Sequence, residues 1–234
     1  VELADLLLKP SPGSYGLSIS SCDTVLISRA KFDSCAGVGI SASVIGRLSI
    51  QNGLFKHHSN AGLVLTACSG DLQFCTMTDN LSSLSISGGS LIIKNNIIAG
   101  NTGYAINRSN GPALSVTYND FYDNGLGLSQ TRTDIDSATN IFTNPLFSEF
   151  LDLTLQPAAP AKSLGENGVE MGYHGQVKLS KTVSVRKLFR AVGKNETSLL
   201  SVDDSMDFPL RLTAVYFVPS PFKPHREKGW IRYR

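Results

Sequence analysis

Charge is scarce in this chain. Asp, Glu, Lys and Arg make up 17% of its 234 residues, against about 25% in ordinary globular domains. The formal net charge is +2, so the chain as a whole has no electrostatic footprint for nucleic acid. Charges are sparse and mixed up to about Gly175. Beyond it Lys178, Lys181, Arg186, Lys187, Arg190 and Lys194 accumulate, then Lys223, Arg226, Lys228, Arg232 and Arg234. Such a tail can bind anionic polymers, but a solvated linker is the simpler reading. Long apolar runs are also missing: none reaches the roughly 18 residues that span a bilayer. No charged-then-apolar leader opens the chain at Val1. Both ends read as cut, so this gives no argument for the cytoplasm.

Cysteine is rare, and its spacing excludes the usual uses. Cys22, Cys35, Cys68 and Cys75 contain no CxxC pair and have no histidine at metal-ligand spacing. In the register derived below, Cys22 and Cys68 share a column two coils apart. That separation is about 9.6 Å, beyond the roughly 7 Å that a disulfide tolerates. Buried free thiols are expected. Phosphate-binding glycine motifs, Ser-centred elbows and zinc signatures are absent as well.

Glycine is plentiful, at 21 residues, and so are Ser and Asn. This suits short strands joined by tight turns. Apolar pairs separated by one position recur: Leu17/Ile19, Val38/Ile40, Leu63/Leu65, Leu84/Ile86, Tyr104/Ile106 and Leu126/Leu128. A second series runs between them: Val25/Ile27, Leu48/Ile50, Leu72/Phe74, Leu91/Ile93 and Leu114/Val116. Five residues after four of these stand Phe32, Phe55, Ile98 and Phe121, whereas Met77 follows Phe74 by three. Three residues further come Cys35, His58, Asn80, Asn101 and Asn124.

Each alternating segment reads as a period-2 strand with one face inward. Three such segments per repeat of about 22 residues are too short to stand alone. Stacked in register they form a three-sided coil around a continuous apolar column. The apolar positions do not follow the i, i+3, i+4, i+7 spacing of a helix. Asn80, Asn101 and Asn124 fall at a corner. Asn tolerates the left-handed backbone there, and stacked amides can bond from coil to coil. A structural role is expected for all three.

These repeats, opening G-[LVY]-x-[IL] and turning at F/I-x-x-N, resemble the right-handed parallel β-helix repeats of pectate-lyase-like proteins over residues 15–130. The resemblance implies an all-β chain, a right-handed parallel β-helix (single-stranded solenoid), with a C-terminal linker and a partial β-sandwich segment. Further on, Asn144-Pro145-Leu146-Phe147, Asp152–Pro157, Ala159-Pro160-Ala161 and Glu170–Gly175 are similar to the closing segment of bacterial surface β-helix proteins. That segment reads D-P-L-F, then a strand ending L-x-P, then S-P-A, then D-[IM]-G-A-Y-G. It is expected to cap the last coil, since Pro145, Pro157 and Pro160 cannot donate ladder hydrogen bonds. The β-helix is thus placed at 1–175 and a linker at 176–213. From 214 to 234, Val215–Pro224 with Ile231-Arg232-Tyr233 resembles the opening of an immunoglobulin-like module. Such modules belong to flagellar hook-capping proteins and to the C-terminal sorting domains of type IX secretion. A bacterial protein, secreted or at the cell surface, is implied.

Lyases of this fold use outward carboxylates and basic groups, often with calcium, and glycosidases need paired carboxylates. The best outward patch is Lys94, Asn95 and Asn96 with Tyr118, Asn119, Asp120, Tyr122 and Asp123. Lys94 and Tyr118 are expected to stack, and a tyrosine there can face a sugar ring. Candidate carbohydrate-binding residues are therefore Lys94, Asn96, Tyr118, Asp120, Tyr122 and Asp123. No catalytic residue and no metal ligand is assigned, and His57-His58 reads as a lone doublet. No cofactor is expected, calcium being the one the resemblance would admit. The expected function is a monomeric, non-catalytic surface module that binds extracellular polysaccharide or cell-surface glycan, or serves as a stalk. The alternative is a polysaccharide lyase or glycoside hydrolase acting on acidic polysaccharide. No nucleic acid partner and no membrane span are expected.

Overall fold

A computed structural model of the chain describes residues 1–8, 15–110, 114–127, 135, 137–148 and 153–174. The linker and sandwich segment expected over 176–234 lie outside the described residues. Among the described residues, twelve strands make one parallel solenoid. In chain order they are β1 (Glu2–Ala4), β2 (Leu7–Leu8), β3 (Tyr15–Asp33), β4 (Val38–Lys56), β5 (Ala61–Gln73), β6 (Thr76–Thr78), β7 (Ser82–Ser87), β8 (Leu91–Lys94), β9 (Ile97–Ala99), β10 (Ile106–Asn110), β11 (Ser115–Thr117) and β12 (Asp120–Tyr122). Strands β3 and β4 each run 19 residues, bending across three faces without interruption.

The bends come from single residues in the left-handed region. Ser21, Val44 and Ala67 turn the first sheet into the second. Arg29, Asn52, Phe74, Asn95 and Tyr118 turn the second into the third, and Ser34, His57, Asp79 and Asp123 leave the third, all with φ between 49° and 58°. Each non-glycine residue there is strained by roughly 1–2 kcal/mol. Stacking against corners of the same backbone conformation in the neighbouring coils holds it.

Five coils pair in register. The first sheet stacks Leu17 on Ile40, Leu63, Leu84 and Ile106, at intervals of 23, 23, 21 and 22 residues. The second sheet stacks Val25, Leu48, Gly70 and Leu91, and beside them Ile27, Ile50, Leu72, Ile93 and Val116. In the third, Phe32, Phe55, Met77, Ile98 and Phe121 make one inward column. Phe32 and Phe55 stack with ring centroids 5.3 Å apart. Strands β1 and β2 add a partial coil before β3. Bridges to Ile135 and Ile141 add one after β12.

Several anchors differ from the expected ones. Ile40/Ala42 and Ile106/Arg108 stand in register where Val38/Ile40 and Tyr104/Ile106 were expected, because an inward position can hold a residue as small as Ala42 and the column ends at the half-buried Arg108. Leu126 is 64% exposed and anchors nothing. The coil that broke the five-residue rule obeys it after all. Its inward pair is Gly70/Leu72, and Met77 follows Leu72 by five. Phe74 is the corner residue. Gly70 escaped the pattern because it has no side chain. A Cβ there would lie 1.8 Å from the Leu48 carbonyl oxygen, and its φ is +143°.

The residue after each of two corners turns inward and bonds coil to coil. In one ladder the Cys35 N–H donates to His58 Nδ1 at 3.1 Å, and the His58 N–H to Asn80 Oδ1 at 3.0 Å. The amide of Asn80 donates to Asn101 and that of Asn101 to Asn124. The second ladder runs Cys75, Asn96, Asn119 and Asn140, with contacts of 2.8–3.0 Å.

Over its described residues 153–174, the closing segment does not form the expected cap on the last coil. Residues 153–174 run back along the side of the solenoid, over the outer face of the third sheet. The Gly172 N–H donates to the Asn95 carbonyl, that of Tyr173 to Thr76 Oγ1 and that of His174 to Asn52 Oδ1. Three consecutive residues thus reach three successive coils. Met171, Ala161 and Leu155 bury Ile97 and Ala99, while Leu153 and Tyr173 bury Leu54. An apolar outer face explains why: left bare, it would lose the stabilisation of about 25 cal/mol per Å² of apolar area removed from water. All four cysteines are free thiols, and Cys22 stands half-buried.

Candidate functional site

Among the described residues, the returning arm covers the third sheet, and the outer faces of the first and second sheets carry no such cover. On the first, Ser18, Ser41, Val64, Ser85 and Asn107 form one file, and Ser20, Ser43, Thr66 and Ser87 a parallel one. This is a flat, hydroxyl-rich wall.

The second sheet is chemically richer. One file is Ser28, Gln51, Gln73, Lys94 and Thr117; its neighbour is Leu26, Ser49, Asp71, Ile92 and Ser115. The Ser49 hydroxyl donates to Asp71 Oδ2 at 2.9 Å, the Gln73 amide donates to the same oxygen at 3.1 Å, and the Gln51 amide donates to Ser49 Oγ at 3.3 Å. Leu26 and Ile92 stand exposed in the second file. Lys94 donates to Glu166 Oε2 of the returning arm at 2.7 Å. A carboxylate, two amides, hydroxyls and an ammonium are thus held on rigid strands between two apolar side chains.

The expected carbohydrate patch is split by the structure. Lys94 lies on this face, but it stacks on Thr117, whereas Tyr118 stacks on Asn95 as a corner. A slip of one residue reverses the face of a strand. Asn96 is a correction: it is wholly buried and belongs to the interior ladder. Asp120 is another: it is wholly buried and accepts from the Thr143 N–H at 3.0 Å. Burial pushes its carboxyl up to about 6, against the pull of those hydrogen bonds. Tyr122 and Asp123 are exposed on the third side, away from Lys94. Asn80, Asn101 and Asn124 line the interior.

Gln51, Gln73, Asp71, Ser49 and Glu166 were missed. The signal for the two glutamines was present, since each directly follows the second inward residue of its coil, as Lys94 does.

A separate cluster occupies the corner after the third sheet. His57 Nδ1 lies 2.9 Å from Asp33 Oδ1, and its Nε2 lies 3.8 Å from Asp79 Oδ2; Lys56 Nζ is 3.5 Å from Asp33. Burial raises the Asp33 carboxyl, but hydrogen bonds from His57 and Ser34 and the Lys56 charge together hold it below the usual range. A shallow groove of about 440 Å³, lined by Tyr15, Val38, Ser59, Asn60 and Leu81 among others, opens where this corner meets the first sheet. Among the described residues, no three His, Cys, Asp or Glu side chains are grouped to hold a metal. Among the described residues, the donors on the second-sheet face do not fit calcium, because Asp71 already accepts two hydrogen bonds and Glu166 is paired with Lys94. Among the described residues, no helix is long and apolar enough to cross a membrane.

The family described as right handed beta helix region matches residues 10–142, which hold all five paired coils. No curated protein and no solved structure matches the sequence. With the coil register and the family match in agreement over more than half of its length, the chain belongs to the right-handed β-helix family.

Proposed function

We propose that this chain is a non-catalytic module of an exported bacterial protein, secreted or displayed at the cell surface, and that it binds glycan along the outer face of the second sheet. The observation that carries this reading is the hydrogen-bonded file of Gln51, Ser49, Asp71 and Gln73 between Leu26 and Ile92. Amides, hydroxyls and carboxylates match sugar hydroxyls, and apolar side chains match the flat faces of pyranose rings. The strands fix these groups before a ligand arrives, which lowers the entropy cost of binding. Export and the bacterial source are supported by the closing-segment and C-terminal resemblances. The test is a glycan-array screen run together with a depolymerisation assay. Binding without product release is expected, with Gln73→Ala and Asp71→Ala each weakening it tenfold or more. Undiminished binding in both variants would move the site elsewhere.

A second reading, a lyase or hydrolase acting on acidic polysaccharide, draws on the Asp33–His57–Asp79 corner with Lys56. It places His57 within hydrogen-bond reach of Asp33, with Asp79 3.8 Å from His57 and Lys56 3.5 Å from Asp33, so acids and bases stand side by side. Released sugar ends that vanish in His57→Gln would establish it.

A further inference from the structure

We propose that the loop carrying Glu166 is a built-in lid on the second-sheet face, and that its carboxylate occupies the place of a carboxylate-bearing sugar on Lys94. The inference rests on the reading of that face as a glycan-binding surface.

Lys94 is the one cation in its file, and its ammonium lies 2.7 Å from Glu166 Oε2. The partner comes from 72 residues along the chain and is no part of the sheet. It is carried by a compact loop closed at its base, where the Met171 N–H donates to the Ala161 carbonyl at 2.8 Å and Lys162 pairs with Glu170 at 3.0 Å. Ala161 and Met171 are buried on the third sheet. The tip is a tight turn, Asn167 at φ 60° and Gly168 at φ 78°, closed by a hydrogen bond from the Gly165 N–H to the Val169 carbonyl. Gly165 permits the close approach, since a Cβ there would lie 2.5 Å from the Val169 oxygen and 3.0 Å from Asn95 Oδ1.

Among the described residues, two polar contacts tie the tip to the solenoid: the Lys94 ion pair and a hydrogen bond from the Glu166 N–H to Asn95 Oδ1 at 2.8 Å. Both end on adjacent residues of a single corner. The tip can therefore lift while the base stays buried. The ion pair is partly exposed, at 25% and 37% for the two side chains, so salt screens it and an external carboxylate can compete for the same ammonium. A lid closed about nine-tenths of the time lowers apparent affinity about tenfold. The lid thus lowers affinity for an acidic glycan and leaves a neutral one, which needs no ammonium, untouched.

The test is calorimetric titration of short oligogalacturonate and of a neutral cello-oligosaccharide into the full chain. Glu166→Gln should bind the acidic sugar about tenfold more tightly and the neutral one unchanged. The gain should vanish in the Lys94→Gln/Glu166→Gln double variant and shrink in high salt. Glu170→Gln loosens the base of the loop without freeing Lys94, so it should match the unaltered chain. An equal gain in Glu170→Gln, or equal gains for both sugars, would overturn the lid. If Gln73→Ala weakens the neutral sugar while Glu166→Gln gains nothing for the acidic one, the lid alone fails. If no variant binds either sugar, the glycan reading fails and the lid with it.

Discussion

At the scale of single residues, two buried titratable groups act in opposite directions. Burial lowers the His58 imidazole to about 4, against the pull of Asp33 and backbone hydrogen bonds. Its folded value lies below the ordinary 6.5, so its stabilising contribution is complete above pH 6.5. That contribution is lost as pH falls toward 4. Asp120 has a folded value raised to about 6, so the folded state holds its proton more tightly than the unfolded chain. Its contribution is favourable at low pH and is lost as pH rises from about 4 to about 6. The two windows overlap and nearly cancel in the native chain, and substitution separates them. His58→Asn keeps an acceptor for the Cys35 N–H and should gain on the native chain by about 2–3 kcal/mol between pH 7 and pH 4. Asp120→Asn should be about 2 kcal/mol more stable at pH 7, an advantage that vanishes near pH 4. Urea unfolding across that range reads both, and parallel curves for all three proteins would refute the assignment. The cysteines give a simpler check. Burial raises all four thiols, Cys75 up to about 12, but Cys35, Cys68 and Cys75 are also shut off from solvent, whereas Cys22 is half-buried. A thiol reagent should label Cys22 alone before unfolding.

At the scale of strands and corners, the determinants are positions where the repeat admits one residue type. Gly70→Ala would drive a methyl group into the Leu48 carbonyl and should cost more than 3 kcal/mol in urea melts. Asn119 is bonded to Asn96 and Asn140, and its amide donates to the Ile93 and Thr117 carbonyls. Asn119→Ala leaves buried groups unpaired and should cost about 2–4 kcal/mol. A cost below 1 kcal/mol would mean that the ladder is ornamental. The sequence showed the Asn80–Asn101–Asn124 ladder through its fixed offset from the third-sheet anchor. The Asn96–Asn119–Asn140 ladder was hidden, because Asn96 and Asn119 were read as surface polar residues. Periodicity alone does not say which residue next to a left-handed corner turns inward.

At the scale of the whole molecule, the returning arm decides, among the described residues, which sheet is covered on both sides. Its footprint explains the doublets Leu54-Phe55 and Ile97-Ile98, whose second members face the core and whose first members face the arm. Consecutive apolar residues in a parallel strand signal a sheet covered on both sides. Asn95→Gly keeps the left-handed corner and removes the acceptor for the Glu166 N–H. Amide exchange should then accelerate at 165–170 while the coil strands stay protected. Equal loosening of arm and coils would mean that the solenoid depends on the loop tip.

The sequence by itself determined the solenoid, its three strands per coil, its third-sheet anchors and one interior ladder. These follow from local spacing, which every stacked coil repeats and which the inward apolar column enforces. Tertiary structure alone decided the rest: that Gly70 is an inward position, that Asn96 and Asp120 are buried, that Lys94 stands beside Gln73, and that the closing segment runs along the side. Each depends on contacts between residues distant in the chain, and a shift of one residue, or an arm returning from 72 residues away, changes the face a side chain presents without altering the local pattern.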